Sequence, residues 1–158
     1  MTDIQLHAAG VTDPGRVRAA NEDAILVRND ASLWTVADGM GGHRGGKWAS
    51  GQVRDALDRV ELPGDFDTNL KRIEEAVRTA NAVIAAAGER AGSHTGTTVV
   101  VLHILGTRFG IFWAGDSRIY LCRQGQTCLL TTDHTHVQEM VDRGVLTAEE
   151  AQQVRETT

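Results

Sequence analysis

The chain has 158 residues, enough for one domain with a hydrophobic core and too few for two full ones. With 16 Lys and Arg against 21 Asp and Glu, its formal net charge is −5, which argues against a nucleic-acid binder relying on a basic surface. It has no apolar run of eighteen residues, and its start, MTDIQLHAAG, lacks the basic and apolar regions of a secretory signal, so a cytoplasmic location with no membrane segment is expected.

In chain order, alternating or short apolar runs predict strands over 5–11, 24–27 and 33–37. The second is preceded by Asn21, Glu22 and Asp23, and the third ends at Asp38. A glycine-rich stretch follows, VADGMGGHRGGKW, from Val36 to Trp48. Its spacing of Gly41, Gly46 and Lys47 approaches a phosphate-binding P-loop. Trp48, however, stands where that motif needs Ser or Thr for magnesium, and Asp38 just before the glycines would repel phosphate. As a metal site the stretch is more coherent: Asp38 offers a carboxylate at a strand end and Gly39 an accessible carbonyl, both hard oxygen ligands suited to magnesium or manganese.

Ala49, Val53, Ala56, Leu57 and Val60 recur at helical spacing, as do Leu70, Ile73, Val77, Ala80 and Ile84. Pro63 and Gly64 separate these two amphipathic helices, the second of which is expected to be capped by Asp67 or Thr68 and closed by Gly88 or Gly92. Strands are then expected over 97–105, 109–114, 118–122 and 128–130, with a hairpin turn at Gln124-Gly125 that sets Cys122 against Thr127 and Leu121 against Cys128. The two cysteines therefore do not face each other and are expected as buried thiols. A short helix at Val137, Met140 and Val141, with Gly144 behind it, and a capping box between Thr147 and Glu150 complete the pattern. Strands bunched on both sides of a helical pair predict an α+β fold with a largely antiparallel sheet or sandwich, not the strict alternation of a nucleotide fold.

Acidic clusters sit at three strand ends: Glu22-Asp23, Asp38 and Asp116. Each alone reads as a turn former. Together, RAANEDA, VADGMGGH, HTGTTVVV and AGDSRIYL occur in order, each on a strand or at its edge. In these residues the chain resembles the metal-dependent Ser/Thr protein phosphatases of the protein phosphatase 2C class (PPM family) in their bacterial form. The matching motifs are Arg18-x-x-Asn21-Glu22-Asp23, Asp38-Gly39-Met40-Gly41-Gly42-His43, Gly96-Thr97-Thr98, Gly115-Asp116-Ser117-Arg118-x-Tyr120, and the segment from Thr132-Asp133-His134 through Val145-Leu146-Thr147.

The resemblance implies a β-sandwich of antiparallel sheets flanked by helices in four αββα layers. It also implies hydrolysis of phosphoserine and phosphothreonine in proteins by a metal-activated water. Two divalent ions, Mn2+ or Mg2+, would share Asp38, with the Gly39 carbonyl as a further ligand and Glu22 and Asp23 anchoring metal-bound water. Asp116 would help hold a third, weaker ion, or alternatively fix the turn before Arg118. Arg18 would meet the substrate phosphate, the alternative being a surface pair with Glu22. His43 is a candidate proton donor for the leaving oxygen, although a role at the helix entry or beside the ligands suits it as well; Met40 stands where eukaryotic relatives carry their candidate acid. Thr97 and Thr98 read as structural, and His134 and His136 as loop features, not ligands.

Members of the family continue past the point where this chain ends, into the rest of a flap beginning near 133–158 and two further metal-binding aspartates. The chain is therefore expected as a single domain over 1–158 covering the first two-thirds of the family pattern. It would be a piece of a longer phosphatase or a fragment that self-associates, with weakened metal binding. A catalytically silent module binding a phosphoprotein or kinase is the alternative. Expected partners are phosphoproteins made by a Hanks-type Ser/Thr kinase. The stretches from His94 to Gly125 and from Thr131 to Thr147 further resemble the phosphatases that accompany type VI secretion systems.

Overall fold

The computed structural model describes residues 4–17, 20–41, 45–135, 138, 140, 141, 143–147 and 150. Its centre is an antiparallel sheet in which β1 (Asp23–Arg28), β2 (Leu33–Met40), β4 (Val99–Leu105) and β5 (Arg108–Ala114) are neighbours in that order, while the two-residue β3 (Gly96–Thr97) pairs with the end of β2. The strand expected over 97–105 is thus broken at Thr98. A separate hairpin, β6 (Tyr120–Arg123) and β7 (Gln126–Leu129), pairs Cys122 with Thr127 and Leu121 with Cys128 as the turn at Gln124-Gly125 requires. Both turn residues have positive φ, 52° and 76°, which matches the twist of tight hairpins. Both cysteines are free, but they are exposed and not buried, because the described residues place no second layer over this hairpin.

Period-two alternation divides the main sheet. Leu33, Thr35 and Ala37 of β2 point to one face together with Val99, Val101 and His103 of β4, and all six are buried. That face is covered by α1 (Gly45–Asp58) and α2 (Phe66–Ala91). Ala49, Val53 and Leu57 of α1 and Ile73, Ala80 and Ile84 of α2 complete one apolar core with Leu26, Leu33, Val99 and Val101. The opposite face carries Ile25, Val27, Trp34, Val36, Val100 and Leu102 and borders an open groove of about 380 Å³. Ala9, Gly10 and Val11 line the same groove. Residues 5–11 are coil, with Ala9 to Val11 against the sheet, not the strand their alternation suggested. A period-two pattern needs a partner edge to become a strand, and Gly10 here backs onto the side chains of Ile25 and Val27, which a Cβ there would meet at 2.9 and 3.3 Å.

Helix α2 is capped by Asp65, two residues before the nearer of the two expected caps, Asp67. Asp65 Oδ1 accepts hydrogen bonds from the backbone N–H groups of Asp67 and Thr68, both at 3.0 Å, and the Thr68 hydroxyl donates to Oδ2 at 2.9 Å. Hydrogen bonding to Thr68 first, then to Asp67, holds the Asp65 carboxyl below its ordinary 3.8. At the other end Gly92 takes the left-handed conformation, φ 59°, and closes the helix. The capping box is present: Thr147 N–H donates to Glu150 at 2.8 Å, and Glu150 N–H donates back to the Thr147 hydroxyl at 3.2 Å. Among the described residues no helix is long and apolar enough to cross a membrane.

Candidate metal centre

The glycines after Asp38 serve a packing need. Gly39 is buried on β2, and a Cβ there would collide with the backbone carbonyl of Gly46 in the first turn of α1 and lie 2.7 Å from the Glu22 carbonyl oxygen. A Cβ on Gly46 would in turn lie 2.8 Å from the Gly39 carbonyl. Strand, helix and the Glu22 backbone therefore meet without side chains between them, which explains this part of the glycine pattern without a phosphate. From inside α1 the buried Ser50 hydroxyl donates to the Glu22 carbonyl at 2.6 Å and fixes the approach to β1.

This junction places three sequence candidates together. Asp23 and Asp38 are direct cross-strand partners at the end of the β1–β2 ladder, on the same face of the sheet. Glu22 immediately precedes them and is buried, with Oε1 out of reach of solvent. With Asp13, Pro14, Ala20 and Asn21 they line a polar cleft of about 200 Å³. Like charges directly opposite in an antiparallel pair repel; at contact distance the cost is about 1 kcal/mol in water and more in a cleft that restricts it. A cation between the strands turns that repulsion into attraction.

Asp13 and Asn21 were not singled out as site residues by sequence. Asp13 Oδ1 accepts from Gly15 N–H at 2.8 Å, an ordinary turn signature in TDPG. Asn21 bridges the segment to the strand: its amide donates to the Thr12 hydroxyl at 2.7 Å, and its oxygen accepts from Asp23 N–H at 2.9 Å. Only the long-range packing brings these residues to the cleft.

Asp116 is not among the described residues that line this cleft; it sits in the turn that follows β5. That turn is fixed on one side by the segment after β7. His134 N–H donates to the Gly115 carbonyl at 2.9 Å, Trp113 Nε1 donates to the Thr132 carbonyl at 2.8 Å, and the His134 ring stacks on Trp113 at 5.9 Å. Arg118 makes a two-pronged pair with the buried Asp133, at 2.8 and 2.6 Å, and those hydrogen bonds hold its guanidinium above the usual arginine range. The motifs Gly-Asp-Ser-Arg and Thr-Asp-His thus form one anchored unit. Arg18, His43 and His136 lie outside the described residues.

Among the described residues, no group of three Asp, Glu, His or Cys side chains converges into a metal cage. The carboxylates border the cleft instead. That arrangement suits Mg2+ or Mn2+, since such ions keep several waters and use one or two protein carboxylates alongside substrate phosphate. It does not suit a closed tetrahedral zinc site.

Residues 15–140 match the family model for protein phosphatase 2C. The chain belongs to the protein phosphatase 2C family. The serine/threonine protein phosphatase PstP of Mycobacterium tuberculosis is 42% identical over 153 residues, which cover 94% of this chain and 29% of that protein. The crystal structure of the PstP catalytic domain in complex with two manganese ions superposes with a TM-score of 0.74 at 42% identity, over 88% of this chain and 60% of that one. PppA of Pseudomonas aeruginosa, described as a key regulatory component of T6SS, gives a TM-score of 0.76 at 34% identity, over 79% of this chain and 56% of that one. These phosphatase 2C structures share the α+β architecture of antiparallel sheets and helices seen here. The chain spans less than two-thirds of the length of each.

Proposed function

We propose that the protein carrying this chain hydrolyses phosphoserine and phosphothreonine in proteins, using divalent cations bound at the Asp38 cleft. The observation that carries this reading is the facing pair Asp23 and Asp38 with buried Glu22 beside them, in a chain of the phosphatase 2C family. Bound Mn2+ or Mg2+ would supply neutralisation of phosphate charge and would lower the pKa of water enough for hydroxide to form near neutral pH. The two manganese ions of the PstP catalytic domain support a count of two; a third ion near Asp116 is part of the proposal and rests on the family resemblance alone.

The chain's own residues divide the remaining work. Asp38 supplies the carboxylate nearest the strand end and Gly39 a backbone carbonyl. Glu22 and Asp23 accept hydrogen bonds from water in the cleft and orient it. Arg18, a permanently charged fork, pairs with the substrate phosphate. The leaving oxygen needs a proton, and His43 is the sequence candidate for supplying it. The substrates are phosphoproteins, including those made by a Hanks-type Ser/Thr kinase, in the cytoplasm.

Phosphopeptide hydrolysis with added manganese tests the reading. The intact protein should turn over the peptide, and Asp38→Ala should lose at least about a hundredfold in kcat. Equal rates for the two contradict the mechanism.

A further inference from the structure

Two acidic regions lie at one end of the sheet, Asp38 on β2 and Asp116 after β5, and one side chain joins them. Thr98 sits in the break between β3 and β4. Its backbone N–H donates to the Asp38 carbonyl at 2.8 Å, and its hydroxyl oxygen accepts from Asp38 N–H at 3.0 Å. Thr97 adds a hydroxyl donated to the same Asp38 carbonyl at 3.0 Å. Both sides of Asp38's backbone are therefore held by this threonine pair.

The same Thr98 hydroxyl lies 2.6 Å from the Ser117 hydroxyl, next in sequence to Asp116. A hydroxyl has one proton and two lone pairs, so Thr98 can accept from Asp38 N–H and bond Ser117 at once. Its methyl is engaged too. A Cβ on Gly115 would lie 2.7 Å from Thr98 Cγ2, and Gly115 has φ +98°, so glycine is required for the turn to sit on this methyl.

We propose that Thr98 is a positioning residue that fixes the spacing of Asp38 and Asp116 and so couples divalent-cation binding at the two. This rests on the phosphatase reading above. Residues that orient metal ligands through hydrogen bonds without touching the metal typically change affinity by about 10- to 100-fold when removed. A merely structural threonine in a strand break would instead lower stability and leave affinity alone.

The test is Mn2+ titration of the intact protein by electron paramagnetic resonance, with unfolding temperature measured in chelator. Thr98→Val keeps the branched shape and removes the hydroxyl; it should weaken Mn2+ binding about tenfold. Thr98→Ser keeps the hydroxyl and should stay within about threefold of the parent, at a similar metal-free unfolding temperature. Asp116→Asn should weaken binding less in the Thr98→Val background than in the parent, because the coupling is already lost. Should Thr98→Val not fold, Ser117→Ala removes the same hydrogen bond from its other end and should weaken binding by about threefold to tenfold. Parent-like affinity in both Thr98→Val and Ser117→Ala, or equal losses in the Val and Ser variants, overturns the proposal. If the parent binds no Mn2+, or Asp38→Ala binds it equally well, the phosphatase reading itself has failed.

Discussion

The central sheet carries polar clusters at its two ends, and they are built on opposite principles. At the end where β2 begins, His103 of β4 is almost fully buried. Its Nδ1 lies 3.1 Å from the Ser32 carbonyl, an acceptor only, which places the ring proton on Nδ1. Nε2 is then the acceptor for the Asn69 amide of α2 at 3.4 Å, and Asn69 Oδ1 takes the Gly64 N–H at 3.1 Å. The Phe66 ring stacks on the imidazole at 5.9 Å, and Arg108 lies 4.1 Å over Phe66 while pairing with Asp67 at 2.8 Å. Donors meet acceptors throughout, and the cluster ties α2 to the sheet. At the other end of β2, carboxylates face each other across the ladder beside a cleft. A polar cluster whose donors and acceptors match is structural, whereas carboxylates facing each other across a ladder repel, and a ligand of opposite charge lowers that repulsion.

Substitutions should move stability in opposite directions at the two ends. The larger effect is expected at the closed end. Asn69→Ala leaves His103 Nε2 and Gly64 N–H without their partner and should cost about 1–3 kcal/mol by urea unfolding, with activity per folded molecule unchanged. A cost near zero would mean the network contributes nothing. The smaller effect has the other sign. Asp23→Asn removes one of two facing charges and should stabilise the metal-free protein by about 0.2–1 kcal/mol while weakening Mn2+ binding. Destabilisation without metal would show that Asp23 is held by attraction, not repulsion.

How far these regions could be read in advance follows from the range of the interactions that form them. β1, β2 and β5 were legible because alternation such as Leu33, Thr35 and Ala37 is local, and the hairpin because a two-residue turn fixes its own register. The same alternation misled over 5–11, where Leu6 stays exposed and Ala9 to Val11 cross the outer face of the sheet as coil. Capping by Asp65 lost out to its neighbours because three capping residues fall within four positions, and only the backbone angles choose between them. The cysteines, judged by residue type, were expected inside and lie outside.

At the site, Glu22, Asp23 and Asp38 were legible as strand-end carboxylates. Their register across β1 and β2 was not, nor was the approach of Gly39 to Gly46. Asp13 looked like any Asp-Pro-Gly turn. His103 passed as one polar residue in an apolar strand, since Asn69 and Ser32 are 34 and 71 positions away. Thr98 was read as structural for a similar reason: Asp38 is 60 positions before it and Ser117 19 after it.

Calorimetric titration of Mn2+ into the intact protein and into Asp38→Ala tests the central claim most directly, since it reads cation binding without depending on any substrate. The account predicts saturable binding by the parent and at least a tenfold loss of affinity in the variant, at an unchanged fold. Superimposable isotherms would place the cations elsewhere and contradict it.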